Sequence, residues 1–150
     1  MTTRIFPTAQ DAENAFYEAL ERADLEAMMS VWAEDEEIVC VHPTGPQLVG
    51  QDQVREGWRR IFAGAGGARA QVSLQAITSG VMFAVHSVLE RFEMEGEGAP
   101  RGASAIATNV YLRTPAGWRM LAHHASPASG PSPEQAEASP PADDTPKTLH

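Results

Sequence analysis

Four consecutive stretches rich in β-branched and aromatic residues fill much of the second half of the chain, and they restrict its fold more than any other feature. Only short segments of turn-forming residues separate them, including Ser79-Gly80 and Thr114-Pro115-Ala116-Gly117. Strands joined by connections this short pair antiparallel. We therefore predict a four-stranded antiparallel meander over residues 71–78, 81–94, 103–113 and 117–125, with a turn over residues 95–102.

Amphipathic helices precede the meander. Apolar residues recur at steps of three and four after Thr8, after Asp24 and after Gly50, which predicts three helices. Thr8 and Asp24 are typical N-caps, and Asp11 completes a capping box with Thr8. A short strand over residues 37–42 lies between the second and third helices and ends at a turn over residues 43–46. Helices followed by a meander indicate an α+β fold.

The composition changes abruptly near residue 127. Six prolines follow amid Ser, Ala, Glu and Asp, and this segment contains no aromatic residue. A segment so poor in large apolar side chains cannot bury enough surface to offset its chain entropy. We predict one domain over residues 1–126 and a flexible, proline-rich acidic tail over residues 127–150.

The charge balance and the cysteine count exclude several function classes. A formal net charge of -9 argues against nucleic acid as a partner, because such binding depends on clustered Lys and Arg. No apolar run resembles a signal peptide or approaches the length of a membrane span, so no membrane partner is expected. The single cysteine, Cys40, cannot form an intrachain disulfide. These features favour a cytoplasmic protein.

Several phrases of the sequence resemble a known family. They are the helical run 24–29 followed by Trp32-Ala33-Glu34-Asp35, the segment 40–45 with its His-Pro-x-Gly phrase, and the Gly117-Trp118-Arg119 start of a strand that ends in residues 123–127. Together with the order of elements, they resemble the SnoaL-like, ketosteroid-isomerase-like branch of the NTF2-like superfamily over residues 8–127. This family's fold hosts isomerases, cyclases, dehydratases, epoxide hydrolases and plain binding proteins.

The resemblance implies a cystatin-like cone in which the helices and a curved sheet enclose an apolar pocket for a small hydrophobic molecule. It also implies a homodimer through the outer face of the sheet. The sequence agrees with a covered sheet, because neither face of strand 103–113 is strongly polar.

Two residues are candidates for catalysis. His42 precedes Pro43 where the ketosteroid isomerases carry an Asp that acts as general base, and imidazole can abstract a proton near neutral pH. The alternative is a histidine that hydrogen-bonds the Pro43 turn. Asn109 lies where those isomerases carry a protonated Asp that donates to the oxyanion, and an amide can also donate. The alternative is a structural amide that bridges a strand and a helix.

The resemblance also marks a departure. The isomerases carry their oxyanion tyrosine on the first helix, and Phe16 stands at that position. Tyr17 is about 100° further round the helix and is expected to face away from the pocket. Loss of this donor removes a transition-state stabilisation of about 3 kcal/mol, which raises the barrier and argues against steroid isomerisation.

Other residues are expected to line the pocket. Glu90 shares strand parity with His86 and is either an acid or base with a raised pKa or a solvated charge at a strand end. Of the adjacent pair His123 and His124, only one can face inward, and parity with Trp118 and Met120 favours His124. The complete set of predicted pocket residues is Phe16, Trp32, Trp58, Glu90, Tyr111 and His124, of which the two tryptophans and the tyrosine are equally typical of a core.

Two functions therefore remain open. The chain is either an enzyme that isomerises, cyclises or dehydrates a small apolar substrate with His42 as base, or a non-catalytic dimeric module that binds a small ligand. We expect no metal, because the histidine spacing forms no ligand motif, and no cofactor, because no phosphate-binding or dinucleotide motif is present.

Overall fold

The computed structural model of the protein describes residues 4–93 and 103–128, so the predicted turn over 95–102 and most of the predicted tail lie outside the described residues. The described part contains three helices and six strands. The helices are α1 (Ala9–Arg22), α2 (Leu25–Val31) and α3 (Gln51–Gly64). The strands are β1 (Val39–Val41), β2 (Gln47–Val49), β3 (Ala70–Ser79), β4 (Phe83–Phe92), β5 (Ser104–Thr114) and β6 (Gly117–Pro127).

The first two helices begin at the caps that the sequence indicates. The Oγ1 atom of Thr8 accepts a hydrogen bond from the backbone N–H of Asp11 at 3.0 Å, and the Asp11 carboxylate accepts one from the Thr8 N–H at 3.1 Å. This is the predicted capping box. Asp24 caps α2 by accepting from the N–H of Ala27. Both caps are confirmed, and the cap at Thr8 fixes where α1 begins.

The strands form one sheet in the order β2-β1-β6-β5-β4-β3. The predicted meander is confirmed, because β3 to β6 pair antiparallel with their neighbours in chain order. Two features differ from expectation: β1 pairs parallel with β6, and β2 is an additional strand. Strand β2 has only three residues, too few to show an alternation of apolar and polar side chains in the sequence. The β1–β6 pairing joins segments that are far apart in the sequence, so no local pattern predicts it.

The helices pack on one face of this sheet, which we call the inner face, and the α+β architecture is confirmed. Register irregularities interrupt the ladders between Leu74 and Ala76 and between Val110 and Tyr111. Such bulges bend a strand and increase its twist, as closure of a cone requires. The largest fully buried apolar side chains of the core are those of Phe6, Phe16, Met28, Trp32, Ile38, Tyr111 and Met120. No helix in the described residues is long and apolar enough to cross a membrane.

Candidate functional site

A row of polar side chains crosses the inner face of the sheet. His86 on β4 pairs with Asn109 on β5, which in turn pairs with His123 on β6. Directly paired residues project from the same face, so these three side chains lie next to each other. All three are buried, with 3 % or less of each residue exposed. Buried polar groups need partners, and those of His86 and Asn109 come from helix α1, whereas His123 pairs with Asn109.

Glu13 of α1 is the centre of this cluster. Its Oε2 atom lies 2.8 Å from His86 Nδ1 and accepts hydrogen bonds from the Tyr111 hydroxyl at 2.7 Å and from Asn109 Nδ2 at 3.4 Å. The residue is 1 % exposed. Its second oxygen, Oε1, is buried without a hydrogen-bonding partner among the described residues. Glu13 therefore ties α1 to β4 and β5 and keeps one acceptor free.

Tyr17 lies one helical turn after Glu13 and contacts the same part of the sheet. Its hydroxyl accepts a hydrogen bond from Asn109 Nδ2 at 3.1 Å, and its interaction with the Glu90 carboxyl group affects the pKa of both residues. Burial, together with the nearby charge of Glu90, raises the pKa of Tyr17. The phenol therefore stays protonated and acts as a donor toward Glu90.

Glu90 on β4 is a carboxyl group in the interior, 2 % exposed. Burial raises its pKa from 4.5 to about 7; the Tyr17 hydrogen bond opposes this shift and the charge of Glu13 adds to it. A carboxyl group of this kind exchanges a proton near neutral pH, unlike a solvated glutamate. Of the two interpretations of Glu90, the structure supports the buried carboxyl and not the solvated charge.

His123 and His42 form the other end of the cluster. His123 Nδ1 lies 2.6 Å from Asn109 Oδ1, and because an amide oxygen only accepts, His123 carries its proton on Nδ1. Burial, with smaller contributions from His42 and His124, lowers the pKa of His123 to about 3, so this ring is neutral at physiological pH. The ring centroid of His42 lies 6.3 Å from that of His123.

His42 follows β1 directly and is half-buried. Its ring stands edge-on to Trp58 with centroids 4.6 Å apart, and its Nε2 lies 3.5 Å from the Cys40 sulfur. Burial lowers the pKa of His42, so the imidazole is a neutral base near pH 7. The backbone carbonyl of the same residue accepts from the Gly45 N–H at 2.9 Å and closes the predicted turn. The backbone of His42 thus closes the turn, while its side chain packs against Trp58 and Cys40.

A cleft of about 330 Å³ opens between α1 and the first half of β3. Glu13 and Tyr17 line it from the helix, and Val72 lines it from the strand. Val72 is also the direct β-ladder partner of Glu90. The cleft therefore leads toward the Tyr17–Glu90 pair from the open side of the sheet.

The structure brings some predicted site residues together and separates others. Glu90, Asn109 and Tyr111 belong to the buried cluster, and Phe16 and Trp58 pack beside its His123 end. Trp32 lies in the core against Phe16. The amide nitrogen of Asn109 donates hydrogen bonds to Glu13 and Tyr17, and its amide oxygen accepts one from His123.

Two orientations that we expected are wrong. His124 is exposed and His123 faces inward, the reverse of the prediction. The bulge opposite Val110 and Tyr111 shifts the parity of β6 between Met120 and His123, so counting from Trp118 fails.

Tyr17 is the second wrong expectation, because it reaches the cluster although it lies beside Phe16. The buried stripe of α1 is wide, and 100° of rotation does not remove a side chain from it.

Sequence reasoning missed Glu13, although a signal was present. Position 13 falls four residues after Ala9 and three before Phe16, within the apolar stripe of α1. A glutamate in such a stripe predicts a buried carboxylate that needs donors. Within the two described stretches, no group of three or more His, Cys, Asp and Glu side chains could hold a metal ion.

The comparisons with known proteins agree with this architecture. A family model of the SnoaL-like domain matches residues 10–130. A structure from Thiobacillus denitrificans, described as a candidate calcium/calmodulin-dependent protein kinase type II association domain, is 42% identical, with a TM-score of 0.78 over 84% of this chain and 99% of that one. A search of curated proteins finds no match.

Two further structures share the fold. A candidate dehydratase of the NTF2-like family from Streptomyces avermitilis is 30% identical, with a TM-score of 0.70 over 79% of this chain and 93% of that one. A ketosteroid isomerase-like protein from Erwinia carotovora atroseptica is 18% identical, with a TM-score of 0.65 over 81% and 94% of the two chains. At that identity the likeness concerns the fold alone. The chain belongs to the SnoaL-like domain family of the NTF2-like superfamily.

Proposed function

We propose that this domain binds a small, largely apolar molecule and transfers a proton to or from it, with Glu90 as the acid–base group. The observation that carries the proposal is the Tyr17–Glu90 pair, in which a buried carboxyl with a pKa of about 7 interacts with a tyrosine that lines a cleft and is the ladder partner of a second cleft residue, Val72. A group whose pKa lies close to the working pH is well suited to general acid–base catalysis. Perturbed carboxyl groups beside a cleft are typical of functional sites.

An apolar substrate suits the surface around this pair. Val88, Ala107 and Ala125 form a buried apolar cluster on the inner face, and Tyr17 and Val72 pack against it. The solved structure described as a candidate dehydratase is 30% identical to this chain, which favours proton-transfer chemistry such as dehydration, isomerisation or cyclisation.

His42 is the second candidate base. Its neutral imidazole can accept a proton, and its ring rests on Trp58 at the His123 end of the polar cluster. Asn109 lies between the two candidates, with its amide committed to Tyr17 and Glu13. We therefore assign Asn109 a positioning role toward Tyr17 and His123, in place of direct donation to a substrate oxygen.

Proton exchange in deuterated water tests the proposal without knowledge of the natural substrate. A thermal-shift screen of polyketide, steroid and terpenoid fragments would first select a carbonyl compound that binds. Proton NMR would then follow loss of the signal of its acidic C–H. We expect Glu90→Gln to slow the exchange about a hundredfold or more and His42→Ala to leave it nearly unchanged. The reverse pattern would move the base to His42, and no exchange by the native protein would contradict catalysis.

A non-catalytic binding module is the alternative, and one observation favours it. The Asn109 side chain, the Tyr111 hydroxyl and Oε2 of Glu13 are all engaged with one another or with neighbouring side chains, as in a structural network. Under this alternative, fragments would still bind and raise the melting temperature, but neither Glu90→Gln nor His42→Ala would change any exchange rate.

We also propose that a second copy of the chain covers the outer face of the sheet. A row of aliphatic side chains runs across five strands of that face: Val85, Val110, Ala122, Val39 and Val49. Phe83 and Ile106 extend it and are about half exposed. Exposed apolar patches of this kind mark interaction surfaces. The 42% identical structure is described as an association domain, which supports self-association of this chain.

A further inference from the structure

The cleft between α1 and β3 has two chemically different walls. On the helix side it is lined by polar residues, among them Glu13, Glu18 and Glu21. On the strand side it is lined by Ala70, Val72 and Leu74. A molecule that fits between these walls has a polar, hydrogen-bond-donating end and an apolar body.

Glu13 indicates which chemical group the polar end of the ligand must carry. The residue is 1 % exposed, and its Oε2 atom is surrounded by His86, Tyr111 and Asn109. Its Oε1 atom has no partner among the described residues. Buried carboxylate oxygens are normally hydrogen-bonded, so this oxygen points to a donor supplied by a ligand.

The charge around the cleft selects a cation. No Lys or Arg is among the residues of the described chain that line it, whereas three glutamates are. Glu18 and Glu21 contact Arg22 at 3.0 Å and Arg69 at 3.8 Å, outside the cleft. Both ion pairs are largely exposed, and exposed pairs contribute little, so these carboxylates remain available to a positive ligand.

We propose that the cleft binds the ammonium group of a small amine, with one N–H donated to Glu13 Oε1 and the apolar body packed on Val72 and Leu74. An ammonium carries three donors and is compact enough to reach a buried acceptor. The inference rests on the proposed function and names its substrate class. The amine end anchors the molecule at Glu13, and its apolar part lies beside the Tyr17–Glu90 pair.

Three probes of equal length but different charge test this inference: hexylammonium, hexanol and hexanoate. Binding to the full chain would be measured by NMR, with the backbone signals of Tyr17 and Val72 as reporters. We expect hexylammonium to bind at least about tenfold more tightly than hexanol, and hexanoate to bind more weakly than both. Added salt should weaken hexylammonium binding and leave hexanol binding unchanged.

Variants locate the binding site. Glu13→Gln should reduce the affinity for hexylammonium to the level of hexanol, with a thermal melt to verify folding. Because Glu13 is a core residue, its substitution could also affect folding, so the double variant Glu18→Gln with Glu21→Gln provides a second test at the rim of the cleft. For this variant we expect a several-fold loss of affinity for hexylammonium and a weaker salt dependence of binding. Glu37→Gln, an exposed glutamate outside the cleft, is the matched control and should bind like the native protein.

The outcomes separate this inference from the proposed function. Equal affinity for hexylammonium and hexanol, or equal binding to the native protein and the Glu18/Glu21 double variant, would overturn the amine site. Proton exchange that depends on Glu90 would then persist, and the proposed function would stand. If Glu90→Gln left the rate of proton exchange unchanged while hexylammonium still bound through Glu13, the result would contradict the catalytic proposal and leave the amine site standing.

Discussion

At the scale of single residues, the burial of Glu90 links the protonation of the site to the stability of the domain. The folded state raises the pKa of this carboxyl from 4.5 to about 7, so between these values the folded chain binds more protons than the unfolded chain. Stability must then fall as the pH rises through this window and reach a plateau above it. The cost of ionising Glu90 in the core is about 3 kcal/mol.

Glu90→Gln is expected to remove this cost. Gln cannot ionise, so the variant should gain stability relative to the native protein as the pH rises from about 5 to about 8, by up to about 3 kcal/mol. Urea denaturation at a series of pH values measures the difference. Glu93→Gln, at an exposed glutamate directly after the same strand, is the control and should show no such trend. A flat difference between Glu90→Gln and the native protein would contradict a buried, proton-binding Glu90.

Tyr17 controls the same equilibrium from the helix. Its hydrogen bond favours the ionised form of Glu90, so Tyr17→Phe should raise the pKa of Glu90 above its native value. Carbon NMR of the glutamate carboxyl group would measure the titration. Tyr111→Phe removes a hydroxyl bonded to Glu13 and leaves the Tyr17–Glu90 bond in place, so it should change the Glu90 titration far less.

The residue scale is also where sequence reasoning reached its limit. Asn109 could be proposed as a buried amide from its position among apolar residues of β5, whereas Glu90 stayed open between a buried acid or base and a solvated charge, because twist and bulges make parity in a long strand unreliable. His123 could not be placed on the inner face, because a single bulge reverses parity and leaves no mark in the composition. Glu13 lay in a readable stripe, but its three partners come from strands more than 70 positions away. Contacts of that range are set by packing and not by local pattern.

At the scale of elements, α1 supplies the helical half of the cluster, and its N-terminal cap fixes where that helix begins. The reciprocal bonds between Thr8 and Asp11 satisfy two backbone donors that the helix itself leaves unpaired. Local chemistry of this kind is readable from sequence, which is why the start of α1 was predictable. The parallel pairing of β1 with β6 was not, since neither strand encodes its distant partner.

Thr8→Ala should therefore destabilise the domain without altering its acid–base chemistry. We expect a loss of about 1 kcal/mol in the free energy of unfolding, measured by urea denaturation. The pKa of Glu90 in the folded protein should stay at its native value, because Glu13 and Tyr17 lie in the middle of the helix. A changed Glu90 titration would show that the cap positions the cluster as well as stabilising the helix.

At the scale of the whole molecule, the sheet has one face committed to the helices and one that is not covered within the described residues. The inner face carries the polar row and the core, and the outer face carries the aliphatic row from Val85 to Val49. Strands with apolar residues on both faces are typical of sheets covered on both sides. An isologous dimer meets this need with a single surface, because each copy covers the other.

Two isoleucines of nearly equal exposure separate this interface from a general effect of added charge. Ile106 is 48% exposed on the outer face, and Ile77 is 49% exposed on the edge strand beside His86, on the inner face. Ile106→Lys should shift the dimer to a monomer in sedimentation velocity, because it would bury an unpaired charge in the apolar patch. Ile77→Lys should leave the dimer intact, since its side chain points away from the outer face. A native protein that sediments as a monomer at all concentrations, or equal dissociation by both variants, would contradict the proposed interface.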